Sequence, residues 1–424
     1  QTIDVVGSEA EWFPIKEVLV HTPGEELFLG VVHPDAALFE RVFSPDGAAA
    51  EHEAYITLLR QQGARVHTVV QTLLAGTVDA QGQPIEGAQL DELRQFARRF
   101  IKLELDPEDF PSCSDEAQAE RDKLDGYLEK QHPNELVKII THQPTIRLNK
   151  TDINTGYVAS YGLSPLMNLY FTRDQVITTK KGVVVGQMNS EQRREETKII
   201  QFVLCKLGIK PMYTVAGEGR LEGGDFLPAG KRVFIGQGLR TNAAAIEQLL
   251  DHDVFGTQEV IVVKDAWKMQ QELHLDTFFN IIDRNLAVLV ADRFDANCDV
   301  SANIKCLKAD IWRKVGDKYQ LQQQDADFVT LLRKLRFQII PVSVKDQERY
   351  AINFLTARSR KIMALTGVPG EDGAVSQAFK NWLRKTGVKV QWLDWPNLTG
   401  GYGAAHCTTQ VLRREKRLNP LPWQ

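Results

Sequence analysis

The feature that most restricts how this chain can fold is a pattern that recurs five times: an amphipathic helix-like stretch, a glycine or turn, then a short β-rich run. The instances are 54–62 into 63–69, 197–207 into 208–215, 242–250 into 259–263, 327–335 into 337–342, and 375–385 into 387–393. Most are preceded by a candidate hairpin, such as 175–179 with 183–185, or 226–228 with 233–235. The unit therefore reads strand, strand, helix, strand. A unit of that size cannot bury its own apolar face, so its repetition predicts a closed α/β array in which each unit covers the next. An ordinary mixed α/β sheet is the alternative that the repeat alone leaves open.

The spacing is interrupted once. Gly63 and Gly208 lie 145 residues apart, far more than the later intervals. The intervening sequence carries helical periodicity: Leu90, Leu93, Phe96, Ala97, Phe100 and Ile101, then Leu124, Tyr127 and Leu128, then Leu136, Val137 and Ile140 after Pro133. This predicts a repeat domain formed by 1–75 and 151–424, with 76–150 inserted as a helical subdomain.

With 424 residues, 43% hydrophobic, the chain can bury a large core. A net charge of −4 offers no electrostatic footprint for nucleic acid or an anionic membrane. No apolar run approaches the 18 or so residues of a membrane span, and the first residues lack the basic start and apolar stretch of a signal peptide. Five cysteines, Cys113, Cys205, Cys298, Cys306 and Cys407, form an odd, sparse set. That suits reduced thiols in a cytoplasm better than a disulfide framework. Without a CxxC pair, a zinc site is not expected, and His274 and Asp276 lack the neighbours that would make them metal ligands.

Chemistry concentrates in four distant segments: Asn168-Leu-Tyr-Phe171-Thr-Arg-Asp174, Glu222-Gly-Gly-Asp225, His274-Leu-Asp276-Thr277, and His406-Cys407-Thr408 at the end of a Gly/Ala loop from Gly400. Together they supply a thiol, an imidazole and two or three carboxylates. Carboxylates accept paired N–H bonds from a guanidinium, and a thiolate can attack its central carbon. A lone cysteine is most often a small buried apolar residue, a lone histidine a core or surface residue, and an aspartate before a hairpin a turn former. The run of Gly400, Gly401, Gly403, Ala404 and Ala405 favours the reactive reading of Cys407, because tiny side chains let backbone and ligand approach closely. His274 and Asp276, if on a strand, would share one face.

In this order, and together with Val18-Leu-Val-His21-Thr-Pro-Gly24-Glu, these segments resemble the arginine deiminase family over nearly the whole chain. The resemblance implies the pentein fold, an α/β-propeller of five ββαβ-type units with an inserted helical bundle, the site lying where the units meet. It implies hydrolysis of L-arginine to L-citrulline and ammonia through a covalent thiouronium intermediate, in the cytoplasm, with no cofactor and no metal. The only partner implied is a small guanidino substrate, and homo-oligomerisation stays open. By the same resemblance Cys407 is the nucleophile and His274 the acid that protonates leaving ammonia and then activates water. Asp174 and Asp276 clamp the guanidinium, and Glu222 orients His274. Asn168, Phe171, Arg193, Arg240 and Tyr402 line the remainder of the substrate, the two arginines receiving its carboxylate. Asp225 reads as structural.

The chain departs from the family pattern at Tyr402, where many members carry a third arginine five residues before the cysteine, and at Ala404-Ala405, where many carry glycines. An amidinotransferase, or a deiminase of peptidyl-arginine or another guanidino compound, would use the same Cys, His and Asp. A non-enzymatic binding module of the same fold would need no such set.

Overall fold

The computed structural model describes residues 2, 3, 5–299 and 304–415. Five small sheets share one plan: an antiparallel pair, a helix, and a third strand returning parallel to the second. In one, Val176–Thr178 pairs with Val183–Val185, the helix Arg194–Lys206 follows, and Tyr213–Thr214 returns. The next uses Phe226–Ala229, Arg232–Gln237, the helix Ala243–Asp251 and Glu259–Lys264, and is widened by Lys308–Val315 and Lys318–Asp327. Then come Phe279–Asp283, Leu286–Val290, the helix Phe328–Lys334 and Gln338–Val342. Leu355–Arg358, Lys361–Leu365, the helix Gln377–Lys385 and Lys389–Leu393 form the fourth. The fifth joins the two ends of the described chain: Gln410–Arg414 lies antiparallel to Ile15–Val20, which pairs in parallel with Arg65–Thr68 after the helix Pro45–Gln61.

Local chemistry explains the plan. Four of these helices start at Ser44, Asn242, Asp327 and Ser376, whose side chains accept a backbone N–H from the first turn. Three end before Gly63, Gly208 and Gly387, whose φ of 87°, 77° and 71° is the left-handed conformation that terminates a helix and sends the chain back to the sheet. The hairpin strands are buried on both faces, as in Leu286-Ala-Val-Leu-Val290, which accounts for their continuous apolar runs. Consecutive units touch, and Arg414 Nη1 donates to Thr356 O at 2.8 Å, linking the last unit to the one built from both ends.

Helices Ala88–Arg98, Asp115–Leu128 and Pro133–His142 occupy the long interval, and their apolar faces carry the predicted leucines and phenylalanines. They are accompanied by a sheet that the helical reading did not include: Lys102–Leu105, Thr145–Lys150 and Tyr157–Gly162. Its third strand runs past residue 150. Leu90, Leu93, Phe96, Leu136 and Ile140 share a core with Ile199, Ile200 and Val203 of the neighbouring unit's helix. Phe96 stacks on Phe202 at 3.9 Å between centroids and 5° between planes.

Among the described residues Cys113, Cys205 and Cys407 are free. Cys306 is disulfide-bonded, which corrects the expectation of reduced thiols there. The physical reason is a two-stranded ribbon, Phe294–Asp299 against Ile304–Cys306, that folds the chain onto itself, a pairing that cysteine counts do not register. No helix of the described residues is long and apolar enough to cross a membrane.

Phe96→Ala removes a buried ring that joins the inserted segment to the repeat domain. Urea unfolding should show a loss of about 3 kcal/mol, the usual cost of deleting a core phenylalanine. A loss below about 1 kcal/mol would show that the stack contributes no more than an exposed contact.

Candidate active site

The four chemical segments occupy one structural position, each just ahead of the first strand of a unit. Asp174 precedes Val176–Thr178, Glu222 precedes Phe226–Ala229, His274 and Asp276 precede Phe279–Asp283, and Cys407 precedes Gln410–Arg414. The remaining unit contributes Asn353, just ahead of Leu355–Arg358, which the sequence reading did not single out. Its Oδ1 accepts the backbone N–H groups of Ala404 at 2.9 Å and Cys407 at 3.3 Å, and its Nδ2 donates to Asp276 O at 3.3 Å. Asn353 therefore ties the cysteine loop to the Asp276 turn. The fivefold spacing was the signal that could have found it.

His274 and Asp276 do not lie on a strand, contrary to expectation. Leu275–Thr277 is a 3-10 turn, closed by Thr277 Oγ1 donating to His274 O and by Leu275 N–H donating to Asp225 Oδ1 at 2.9 Å. Asp225 is thus structural in the sense expected. The turn still brings both side chains to one place, because it reverses the chain instead of alternating it. Gly224 lies against the imidazole: a Cβ there would sit 2.5 Å from His274 Nδ1, so no side chain is tolerated without moving the ring.

His274 is fully buried, with Nε2 2.8 Å from Glu222 Oε2 and Nδ1 3.7 Å from Asp174 Oδ1. Burial disfavours its charged form, but Asp174, Glu222 and Asp225 outweigh burial and raise it to about 9. Glu222 goes the other way, to about 2: burial raises it, while His274, Arg240 and Arg193 lower it further. Glu222 Oε1 also accepts Asn189 N–H at 3.0 Å.

Asp276 Oδ2 lies 2.6 Å from His406 Nδ1 and 3.6 Å from Cys407 Sγ. Burial, reinforced by Asp276 and Asp174, pushes the Cys407 thiol well above its ordinary value. Burial also raises Asp174 against the pull of His274 and Arg193. Three buried polar atoms of this centre have no hydrogen-bond partner among the described residues: Asp174 Oδ1, Asp276 Oδ1 and His274 Nδ1.

The pocket above these groups, about 310 Å³, is lined by Asn168, Phe171, Arg193, Arg240 and Tyr402, with Leu38, Gln270 and Leu273 as members not predicted. Gly401 and Gly403 abut Phe171, a Cβ on either approaching the ring within 3.1 and 2.5 Å, which is why this loop needs tiny residues. Arg193 is not a free cation: Nη1 donates to Asp174 Oδ2 at 2.9 Å, Nη2 to Glu196 Oε2 at 2.9 Å, and Nε to both Glu196 oxygens at 3.1 Å. Arg240 is looser, with Nη2 donating to Gln270 at 3.2 Å and Nε unpartnered among the described residues. Tyr402, left-handed at φ 60°, also borders a larger cavity of about 1480 Å³. Asp174, Glu222 and His274 cluster closely enough to hold a metal ion. His274 thus has neighbours of ligand type that the sequence reading did not give it; the two carboxylates of this cluster also face Arg193 and Arg240.

Comparison with known proteins places the chain in a family. The arginine deiminase family model matches residues 35–414. An arginine deiminase from Halobacterium salinarum is 25% identical, covering 96% of each chain. One from Streptococcus pyogenes is 29% identical, covering 95% of this chain and 96% of its own. Among solved structures, a dimethylarginine dimethylaminohydrolase from Pseudomonas aeruginosa superposes with a TM-score of 0.51 at 14% identity, covering 94% of this chain and 99% of that one. An amidinotransferase from Microseira wollei gives 0.53 at 14%, covering 98% and 99%. These structural likenesses are of fold, the pentein fold. Matched along nine-tenths of its length by the family model, the chain belongs to the arginine deiminase family.

Proposed function

We propose that this protein hydrolyses the guanidinium group of free L-arginine, giving L-citrulline and ammonia through a thiouronium adduct on Cys407. The observation that carries the reading is the pair of unpartnered carboxylate oxygens, Asp174 Oδ1 and Asp276 Oδ1, beside a buried thiol. They suit the N–H groups of a planar cation, which would be oriented with its carbon toward the sulfur.

Seating that cation lowers the Cys407 thiol, whose proton passes to solvent as the substrate binds, since positive charge beside sulfur favours the thiolate. The thiolate adds to the guanidinium carbon and forms a C–S bond. Nδ1–H of His274 then protonates a departing nitrogen, and the C–N bond breaks to release ammonia. Nε2, held on Glu222, leaves Nδ1 as the nitrogen available to the pocket. The neutral imidazole next takes a proton from water, whose oxygen adds to the same carbon. Collapse breaks the C–S bond and frees citrulline. A raised His274 suits the first task, because it is an acid at neutral pH.

Arg193 serves to fix Asp174, and the substrate carboxylate falls to Arg240 with Asn168 nearby. The segment 76–150 acts as an inserted subdomain behind this wall. A cytoplasmic setting suits the free Cys407, Cys113 and Cys205, to which the disulfide at Cys306 is the exception. A second reading, action on arginine within a peptide, is favoured by Tyr402, which stands between the pocket and the larger cavity instead of closing it with a cation.

Cys407→Ala should abolish turnover with little change in urea stability, while acid quench and mass spectrometry of the unaltered enzyme should find an amidino adduct on Cys407. An adduct on another cysteine sinks the assignment.

The acid role of His274 gives kcat/KM an alkaline limb near 9. Because its folded pKa lies above the unfolded value of about 6.5, the charged imidazole also stabilises the fold fully below 6.5, and that stability is lost as pH rises through about 9. Both should be blunted in His274→Ala, whose kcat should fall by about 10² to 10⁴. An unshifted stability profile in that variant would refute the charged form.

Arg240→Ala should reduce kcat/KM for arginine by about one to two decades, the worth of a charge-assisted hydrogen bond. Agmatine, which lacks the carboxylate, should be nearly unaffected. Preference of the unaltered enzyme for arginine amide or a short peptide would establish the second reading instead.

A further inference from the structure

One buried group at this centre has no part in the reaction sequence above. His406 adjoins Cys407, is fully buried, and turns its two ring nitrogens toward different carboxylates. Nδ1 lies 2.6 Å from Asp276 Oδ2. Nε2 lies 3.8 Å from Glu11 Oε1 and has no hydrogen-bond partner among the described residues. Glu11 is itself held by Arg414, with Arg173 Nη1 3.9 Å away. The histidine's backbone is fixed as well: its N–H donates to Asn353 O at 3.2 Å, and its carbonyl accepts Arg173 Nε at 3.2 Å.

An ionised carboxylate only accepts hydrogen bonds, so Nδ1–H is the donor in the Asp276 contact. The consequence for Asp276 is directional. Rotation about the terminal torsion of an aspartate is soft, and without a second anchor its two oxygens exchange places freely. Only one oxygen, Oδ2, is anchored, and it is the oxygen 3.6 Å from Cys407 Sγ. The other, Oδ1, is left unpartnered.

We propose that His406 is a positioning residue for the guanidinium clamp: its Nδ1–H holds Asp276 so that one oxygen stays beside the Cys407 sulfur and the other is presented to the substrate. No proton is transferred by His406 in this role. The inference rests on the deiminase reading and deepens it.

The geometry separates the two ring nitrogens experimentally. In His406→Asn the amide nitrogen falls near the place of Nδ1 and can still donate to Asp276. In His406→Gln the amide reaches toward Glu11 instead, and His406→Leu offers neither donor. Loss of a charge-assisted hydrogen bond predicts that kcat/KM for arginine drops by about one to two decades in the Gln and Leu variants, while the Asn variant stays within about three-fold of the unaltered enzyme. Urea unfolding of all three checks that each is folded.

The same three substitutions in a Cys407→Ala background, titrated with arginine by calorimetry, read the clamp without turnover and should weaken binding in the same order. A packing role would make Asn as poor as Leu in both measurements, and that result overturns the proposal, as would retention of full kcat/KM and affinity by all three. If the unaltered enzyme fails to convert arginine while the calorimetric order holds, the deiminase reading fails and the positioning role stands.

Discussion

The ion pair between Arg193 and Asp174 is the contact on which the rest of the centre depends. Both groups are buried, and Arg193 is secured from behind by Glu196, one helical turn further along the same chain segment. Removing either partner would strand a charge away from water, at a cost of several kcal/mol. With Oδ2 of Asp174 committed to Arg193, its Oδ1 is directed toward His274 and the pocket. Asp174 in turn is the leading cause holding His274 in its charged form against burial. Glu222 then takes Nε2 of the same ring, so one arginine fixes the acid's position, charge and exposed nitrogen.

The repeat is what brings these groups together. Each unit places the residues ahead of its first strand at the place where units meet, so five distant segments converge without long loops. Asp174, Glu222, the His274 and Asp276 pair, Asn353 and Cys407 are one position read five times. Sheets buried on both faces give this position a rigid floor, which suits catalytic geometry better than a mobile loop. The two glycines of Glu222-Gly-Gly-Asp225 then make sense as clearance, Gly223 against the carbonyls of Arg173 and Val176 and Gly224 against His274.

How much of this was legible depended on what carries the information. The helix and return strand of each unit, and the hairpin of most, were visible because apolar runs, amphipathic periodicity and turn glycines are local signals. The pocket side chains were visible as motifs. Four things were not. The sheet beside the inserted helices includes Lys102–Leu105, which alternates but is only four residues long, and its pairing with Thr145–Lys150 is long-range. The 3-10 turn at Leu275–Thr277 is fixed by Asp225, fifty residues away in sequence. Arg193 looked free to receive a carboxylate, because nothing local announces that Glu196, Asp174 and the Asn168 carbonyl already hold its guanidinium. Asn353 was hidden for a different reason: a single asparagine carries no motif, and only its place in the repeat gives it away.

The charge distribution also favours passage through the site in one direction. In the proposed mechanism a guanidinium entering between Asp174 and Asp276 offsets two carboxylates and lowers the thiol that attacks it, so binding and activation are one event. Citrulline carries a neutral ureido group and has no charge to offer those oxygens. Hydrogen bonds to an ionised partner are roughly twice as strong as neutral ones, so the clamp loses much of its hold once ammonia has left. The thiol then rises again under the influence of burial and Asp276, and the nucleophile returns to its protonated form. On the proposed mechanism, buried carboxylates that would be a liability in a neutral pocket therefore bind the substrate, activate the cysteine and release the product.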